Sequence, residues 1–204
     1  MERCRLVFSG SGGQGVITAA VILAEAAVIH EGLIATQSQT YGAAARGGAT
    51  RSDVIIADSE IHYPKVTQPN VLVALTQEAY SNFYPIIRPG GLLITDTRFV
   101  TIEKKVDARQ FALPMYETVM AEIGKPIVFN ICMLGAVIGI TAVVSPQSIM
   151  KVLEDRIPPG FIDINRKALE IGIALGNEVT TKALPALTRL DNQRTEGGLT
   201  HHAD

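Results

Sequence analysis

Gly10, Gly12, Gly13 and Gly15 place four glycines within six residues, GSGGQG, with Gln14 as the long side chain among them. The spacing satisfies G-x-G-x-x-G and falls between an apolar strand-like run and a long Ala-rich run. Such a turn lets backbone N–H groups approach an anion at the positive end of a helix. The chemistry this implies is phosphate binding. A purely structural use, close packing of strand on helix, stays open beside it. A nicotinamide dinucleotide also wants a carboxylate at the end of the second strand, for its ribose hydroxyls. That strand ends Ala35-Thr36-Gln37-Ser38, and Glu31 stands before it, at the wrong end. The loop therefore favours a phosphate-bearing ligand other than NAD(P), with a stand-alone NAD(P)-binding oxidoreductase or sensor as the alternative.

A second cluster follows the second strand: QSQTYGAAARGGATRSD, residues 37–53. It offers small hydroxyls, amides, backbone N–H groups and two arginines, at the strand end where ligands bind in open α/β sheets. Arg46 is flanked by Ala45 and Gly47, small enough for close approach of a partner. Its planar fork suits phosphate or carboxylate; an ion pair within the chain or to another subunit is the other reading. Asp53 is expected to cap a turn or pair with Arg51. Asp96, between Thr95 and Thr97 at the end of a strand, is expected in a hydrogen-bonded turn. No Ser–His–Asp or Cys–His set emerges. Cys4 and Cys132 lie far apart in apolar runs and read as buried free thiols. Two cysteines are too few for an iron–sulfur cluster, and His30, His62, His201 and His202 make no zinc-binding spacing.

The elements that must position these residues read as follows. Residues 4–9 form a buried strand and the run from Val16 a buried helix stopped at Gly32. Strands follow at 33–39, 50–58 and 69–76, then a short helix at 77–87 and a strand at 92–97. Residues 98–112 are mixed and polar, with room for a short strand or two. Helices are expected at 115–124, 130–144, 146–157 and 161–178. This order predicts an α/β, Rossmann-like, doubly wound, mostly parallel sheet with helices on both faces and additional C-terminal helices. Residues 1–180 read as one domain and 181–204 as a polar extension, mobile or docked on a partner. The apolar run 127–144 carries Asn130, Thr141 and the pair Gly135/Gly139, and reads as a buried helix rather than a membrane span.

Composition bounds the partners. The 204 residues are 47% hydrophobic and 19% charged, with net charge −2 and no Trp. That profile argues against nucleic acid and against an anionic membrane surface. MERCRLVF lacks a signal-peptide pattern, so a cytoplasmic location is expected.

GSGGQG, QTYGAAARGGATRSDV and the apolar helix after Gly124-Lys-Pro126 together resemble the gamma subunit of 2-oxoacid:ferredoxin oxidoreductases, in the 2-oxoglutarate branch. The resemblance spans roughly residues 3–180. One departure is Ala43-Ala44 where the family often has Pro-Glu. The resemblance implies a multi-subunit enzyme, inactive as this chain alone. It converts a 2-oxoacid and coenzyme A to acyl-CoA and CO2 while reducing ferredoxin. Thiamine diphosphate, Mg and iron–sulfur clusters would reside in partner alpha and beta subunits. Carried over by position, Gly10, Gly12, Gly13, Gln14, Gly15, Tyr41, Arg46, Gly47 and Gly48 would line the subunit contact or the coenzyme A channel; no catalytic or metal-ligating residue is implied. The absence of a Gly-Asp-Gly…Asn-Asn run agrees with thiamine diphosphate lying elsewhere.

Overall fold

The computed structural model describes residues 3–40, 49–103 and 105–196, with side chains as far as Lys182. Tyr41, Arg46, Gly47 and Gly48 lie outside the described residues, as does the tail beyond Glu196. Six strands form one sheet: β1 (Cys4–Gly10), β2 (Ile34–Thr40), β3 (Thr50–Ala57), β4 (Val71–Ala74), β5 (Gly91–Asp96) and β6 (Ala108–Leu113). Their order is β2-β3-β1-β4-β5-β6. β1, β4, β5 and β6 are mutually parallel, and β3 runs antiparallel to both its neighbours. The reason lies in chain length. Between β2 and β3 stand only residues 41–49, too few for the crossover that a parallel pair requires. The α/β class expected from the sequence holds, with a mixed sheet whose single reversed strand separates β2 from β1.

The strands alternate as a two-sided buried sheet should. Leu6, Phe8, Val54, Ile56, Val73 and Ile94 join the larger core on one face. Val7, Ile55, Leu72 and Leu93 join a smaller core on the other. The larger face is covered by α1 (Val16–Glu25), which continues as a wider π turn over Ala26–His30, and by α3 (Met115–Glu122), α4 (Phe129–Thr141), α5 (Pro146–Arg156) and α6 (Ile162–Glu196). The smaller face carries α2 (Gln77–Phe83). Gly32 takes φ +67° after the π turn, the left-handed stop expected there. Thr76 caps α2 by accepting from the Ala79 N–H at 3.1 Å, and Ser145 caps α5 by accepting from Ser148 N–H at 3.2 Å.

α4 is apolar on all sides because it is buried on all sides: Ile131 through Ile138 are all inaccessible or nearly so. Its outer cover is α6, and the two backbones touch. A Cβ on Gly135 would sit 2.3 Å from the Leu169 carbonyl oxygen, and one on Gly172 1.9 Å from that of Cys132. Gly139 and Gly176 repeat the pattern at 2.5 Å and 2.6 Å. Two glycine pairs, four apart on each helix, thus make one seam. α6 runs well past residue 178, where its apolar stripe fades: backbone hydrogen bonding continues a helix after the periodic signal that reveals it has ended.

Candidate functional site

The glycine loop follows β1 at the carboxyl end of the parallel strands. α1 lies on one face of the sheet and α2 on the other, so the chain switches sides between β1 and β4. That crevice is where ligands bind in open α/β sheets. Gln14 spans it. Its Oε1 accepts from the Ser11 N–H at 2.8 Å and its Nε2 donates to the Leu75 carbonyl, just past β4, at 3.2 Å. The side chain therefore braces the loop from beneath. Gly10 is required by this brace, since a Cβ there would stand 2.5 Å from Gln14 Oε1. Gly13 and Gly15 adopt φ +92° and +71°, which disfavour any side chain. A Cβ on Gly15 would also meet Asn130 at 2.7 Å. Gly12 faces open space.

Gly15 begins α1 with no side-chain cap, and no acidic residue stands in the first turn. Two clefts flank the loop. One, about 460 Å³, is walled by Ser11, Gly12, Gly13, Val16, Ile17, Thr18 and Thr50. The other, about 360 Å³, is walled by Gly13, Gln14, Gly15, Thr18, Phe99, Tyr116, Pro126, Ile127, Phe129 and Asn130. Among the described residues no carboxylate lines either cleft. Uncapped helix N–H groups, a hydroxyl and no negative charge suit a phosphate group. The aromatic wall is built by edge contacts among Phe99, Tyr116 and Phe129, with centroids 5.0–6.0 Å apart. Ile127 is 77% exposed at its rim. These wall residues were not singled out from the sequence; the available signal was Asn130, an amide inside an apolar run.

The sheet register brings the flanks of the second cluster to the same place. Gly10 pairs with Thr50, and Arg51 pairs with Thr40. Thr40 and Ala49, the residues that bracket Tyr41 to Gly48, thus both stand near the glycine loop. Gln37 lies on β2, beyond β3, where its amide donates to Ser52 Oγ at 2.8 Å. A ribose-holding acid is absent here, and the reversed β3 further separates β2 from the loop.

The remaining polar candidates have structural partners. Arg51 Nε reaches Asp53 Oδ1 at 2.6 Å, Asp53 Oδ2 accepts from the Val66 N–H at 2.9 Å, and the Arg51 guanidinium lies over the Phe83 ring at 5.4 Å. Asp96 is fully buried; it accepts from the N–H groups of Arg98 and Tyr116 at 2.9 Å and 2.8 Å, closing the turn after β5 and anchoring the start of α3. Burial pushes its carboxyl above the ordinary range, against those N–H groups. Burial likewise raises the Cys132 thiol to about 12, helped by the Asp96 charge, and that of Cys4 to about 11. Both thiols stay protonated and unreactive at neutral pH. Glu31 accepts from Ser148 Oγ and the Ser145 N–H, which lowers its carboxyl. Among the described residues no group of His, Cys, Asp or Glu could hold a metal ion, and no helix is long and apolar enough to cross a membrane.

The arrangement has close counterparts. The family model described as pyruvate ferredoxin/flavodoxin oxidoreductase matches residues 5–175. The 2-oxoglutarate synthase subunit KorC of Methanocaldococcus jannaschii is 40% identical over 179 residues, covering 87% of this chain and 96% of that protein. The KorC subunit of Methanothermobacter thermautotrophicus is 39% identical, covering 83% and 93%. A solved structure, the keto/oxoacid ferredoxin oxidoreductase gamma subunit of Geobacter sulfurreducens, superposes with a TM-score of 0.80 at 40% identity, over 87% of this chain and 98% of that one.

Proposed function

The chain belongs to the pyruvate ferredoxin/flavodoxin oxidoreductase family, and from that premise we propose that it works as the gamma subunit of a 2-oxoglutarate:ferredoxin oxidoreductase. The relatives are subunits of 2-oxoacid:ferredoxin oxidoreductases; in this reading the enzyme has several subunits and this chain has no turnover alone. The finer reading rests chiefly on one observation: two KorC relatives at 39–40% identity align over nearly their whole length. In this reading residues 1–180 form the gamma domain and 181–204 an extension of it. Alpha and beta subunits carry thiamine diphosphate, Mg and the iron–sulfur clusters, ferredoxin takes the electrons, and the complex is cytoplasmic.

The glycine loop is then the part of this chain that meets coenzyme A. When bound, coenzyme A supplies the thiol that accepts the acyl group. The chain's own contribution is positioning. The N–H groups of Gly12 and Gly13 and the uncapped first turn of α1 would hold a phosphate of the ligand. Thr18 adds a hydroxyl, and the wall of Phe99, Tyr116 and Ile127 excludes water from one side. Gln14 keeps the loop in shape and also lines the smaller cleft. Tyr41, Arg46, Gly47 and Gly48 would complete the site from the neighbouring segment.

The test is to co-express the chain with its partner subunits and purify the complex anaerobically. A brown complex with thiamine diphosphate that turns over 2-oxoglutarate is expected. Oxidation by the chain alone would overturn the subunit reading, and turnover of only another 2-oxoacid would overturn the substrate. Replacing Gly12 by Asp, or Arg46 by Ala, should raise KM for coenzyme A with kcat and subunit composition kept. Loss of the partners instead would make the loop a subunit contact.

A further inference from the structure

The sheet order leaves β2 and β6 with one open side each. The two edges differ in character. β6 carries the exposed Arg109, follows the exposed Lys105 and Asp107, and stops against Pro114. Charges and proline are common guards against pairing of an open edge with another chain. β2 has neither: its seven residues, IATQSQT, include no charge and no proline. All seven pair with β3 in continuous register, so no bulge turns the edge away. Alternate residues of β2 direct their N–H and C=O groups away from β3, and among the described residues no strand receives them. Apolar side chains border this edge. Ile34 is 42% exposed on the strand itself, and Val28 and Ile29 are 47% and 65% exposed on the π turn beside it.

An open row of backbone donors and acceptors has an extended strand as its complement. Charge selects which strand. Ile34 pairs with Ala57, and at that end of β2 the carboxylates of Glu31, Asp58 and Glu60 outnumber two cations, Arg3 and the amino group beside Asp58. At the other end Thr40 shares a cavity wall with Lys65, which is exposed and has no carboxylate partner among the described residues. Arg51 in the same wall is already paired with Asp53. One end of the edge is therefore acidic and the other basic. An antiparallel second copy of β2 sets the acidic end of each strand against the basic end of the other, whereas a parallel copy would bring like ends together. Centred on Gln37, the antiparallel register places Ile34 opposite Thr40, Ala35 opposite Gln39 and Thr36 opposite Ser38, with Gln37 opposite itself. No like charges meet along this ladder, and hydroxyl faces hydroxyl across it. We propose that β2 is a self-complementary docking edge, through which two copies of this chain join antiparallel across a two-fold axis into one continuous sheet. Ile34 then lies inside the contact and Ile29 at its rim. The inference does not depend on the proposed function.

The test is sedimentation equilibrium of the full chain near neutral pH over a range of protein and salt concentrations. A reversible monomer–dimer equilibrium is expected, weaker as salt rises because charge aligns the strand ends. Gln37→Lys sets two lysines opposite each other at the two-fold axis and should weaken the dimer by about tenfold or more. Ala112→Lys, on the β6 edge, should leave it unchanged. Should Gln37→Lys fail to fold, Gln37→Cys supplies a second readout. On oxidation it is expected to form a covalent dimer, whereas Gln39→Cys, which would face Ala35 of the second copy, should not. A chain that stays monomeric at every concentration would overturn the proposal and leave the edge to a strand of a different protein. A dimer untouched by Gln37→Lys, a dimer broken by Ala112→Lys, or equal cross-linking at positions 37 and 39 would each overturn it as well. Association that does not respond to salt would overturn the alignment by charge.

Discussion

Glycine does two different jobs in two regions of this molecule. In the loop after β1, Gly13 and Gly15 are there for backbone conformation, at φ +92° and +71°, and Gly12 faces open space. Along the α4–α6 seam the glycines are ordinary helical residues, and the four of them leave no room for a Cβ against the facing backbone. The loop uses glycine to expose N–H groups, whereas the seam uses it to bring two helices together. The first is a feature of a candidate site, and the second belongs to the core.

The contrast can be broken most forcibly at the seam. Gly172→Ala would place a methyl 1.9 Å from the Cys132 carbonyl oxygen, so the helices must separate. A loss of about 3 kcal/mol or more is expected, at the upper end for overpacking, measured by urea denaturation of the chain. A loss under about 1 kcal/mol would mean the seam is not rigid.

Gly15→Ala should come next. It meets two penalties, the left-handed backbone and contact with the Asn130 side chain, together about 2 kcal/mol. Pairing it with Asn130→Ala should recover only the contact part. Full recovery in that double-mutant cycle would show that φ matters little here, and the loop would then resemble the seam.

Gln14→Ala is expected to cost about 1 kcal/mol, because it leaves the Ser11 N–H and the Leu75 carbonyl without their present partner. Ligand affinity should fall through loop disorder, and Gln14→Glu should not rescue it, since a carboxylate cannot donate to Leu75.

The smallest effect lies away from both regions, at Glu31. Its carboxyl is lowered by the Ser148 hydroxyl and the Ser145 N–H. The folded form therefore binds the proton less well than the unfolded chain. The resulting stability is present above the ordinary value of 4.5 and is lost as pH falls through the lowered one. The group is exposed, so about a few tenths of a kcal/mol is expected. Glu31→Gln should flatten the acid limb of the stability curve by that amount, read by denaturation at pH 7 and pH 3.

Much of the site could be read in the chain because its signals are local. A strand, a G-x-G-x-x-G turn and an Ala-rich helix follow one another without interruption, and the turn sits where that order implies. Arg51 and Asp53 are two residues apart on one strand, so their pairing needs no distant element. Other features depend on residues brought together from far apart. The aromatic wall joins Phe99 to Tyr116 and Phe129 from a loop and two helices. The role of Gln14 depends on Leu75, which lies 61 residues away. Gly135 and Gly139 stand out in an apolar run, yet their partners Gly172 and Gly176 appear only when α6 crosses them.

By itself, then, the sequence determined the alternation of strands and helices, the G-x-G-x-x-G turn between the first strand and helix, and the resemblance to a gamma subunit. Each of these is written in neighbouring residues, in periodicity or in contiguous motifs. Tertiary structure alone decided that β3 is reversed and lies between β1 and β2, that Gln14 braces the loop, and that α6 crosses α4 on a seam of glycines. Strand order and side-chain partnership depend on how chain lengths close in space, and periodicity does not encode that.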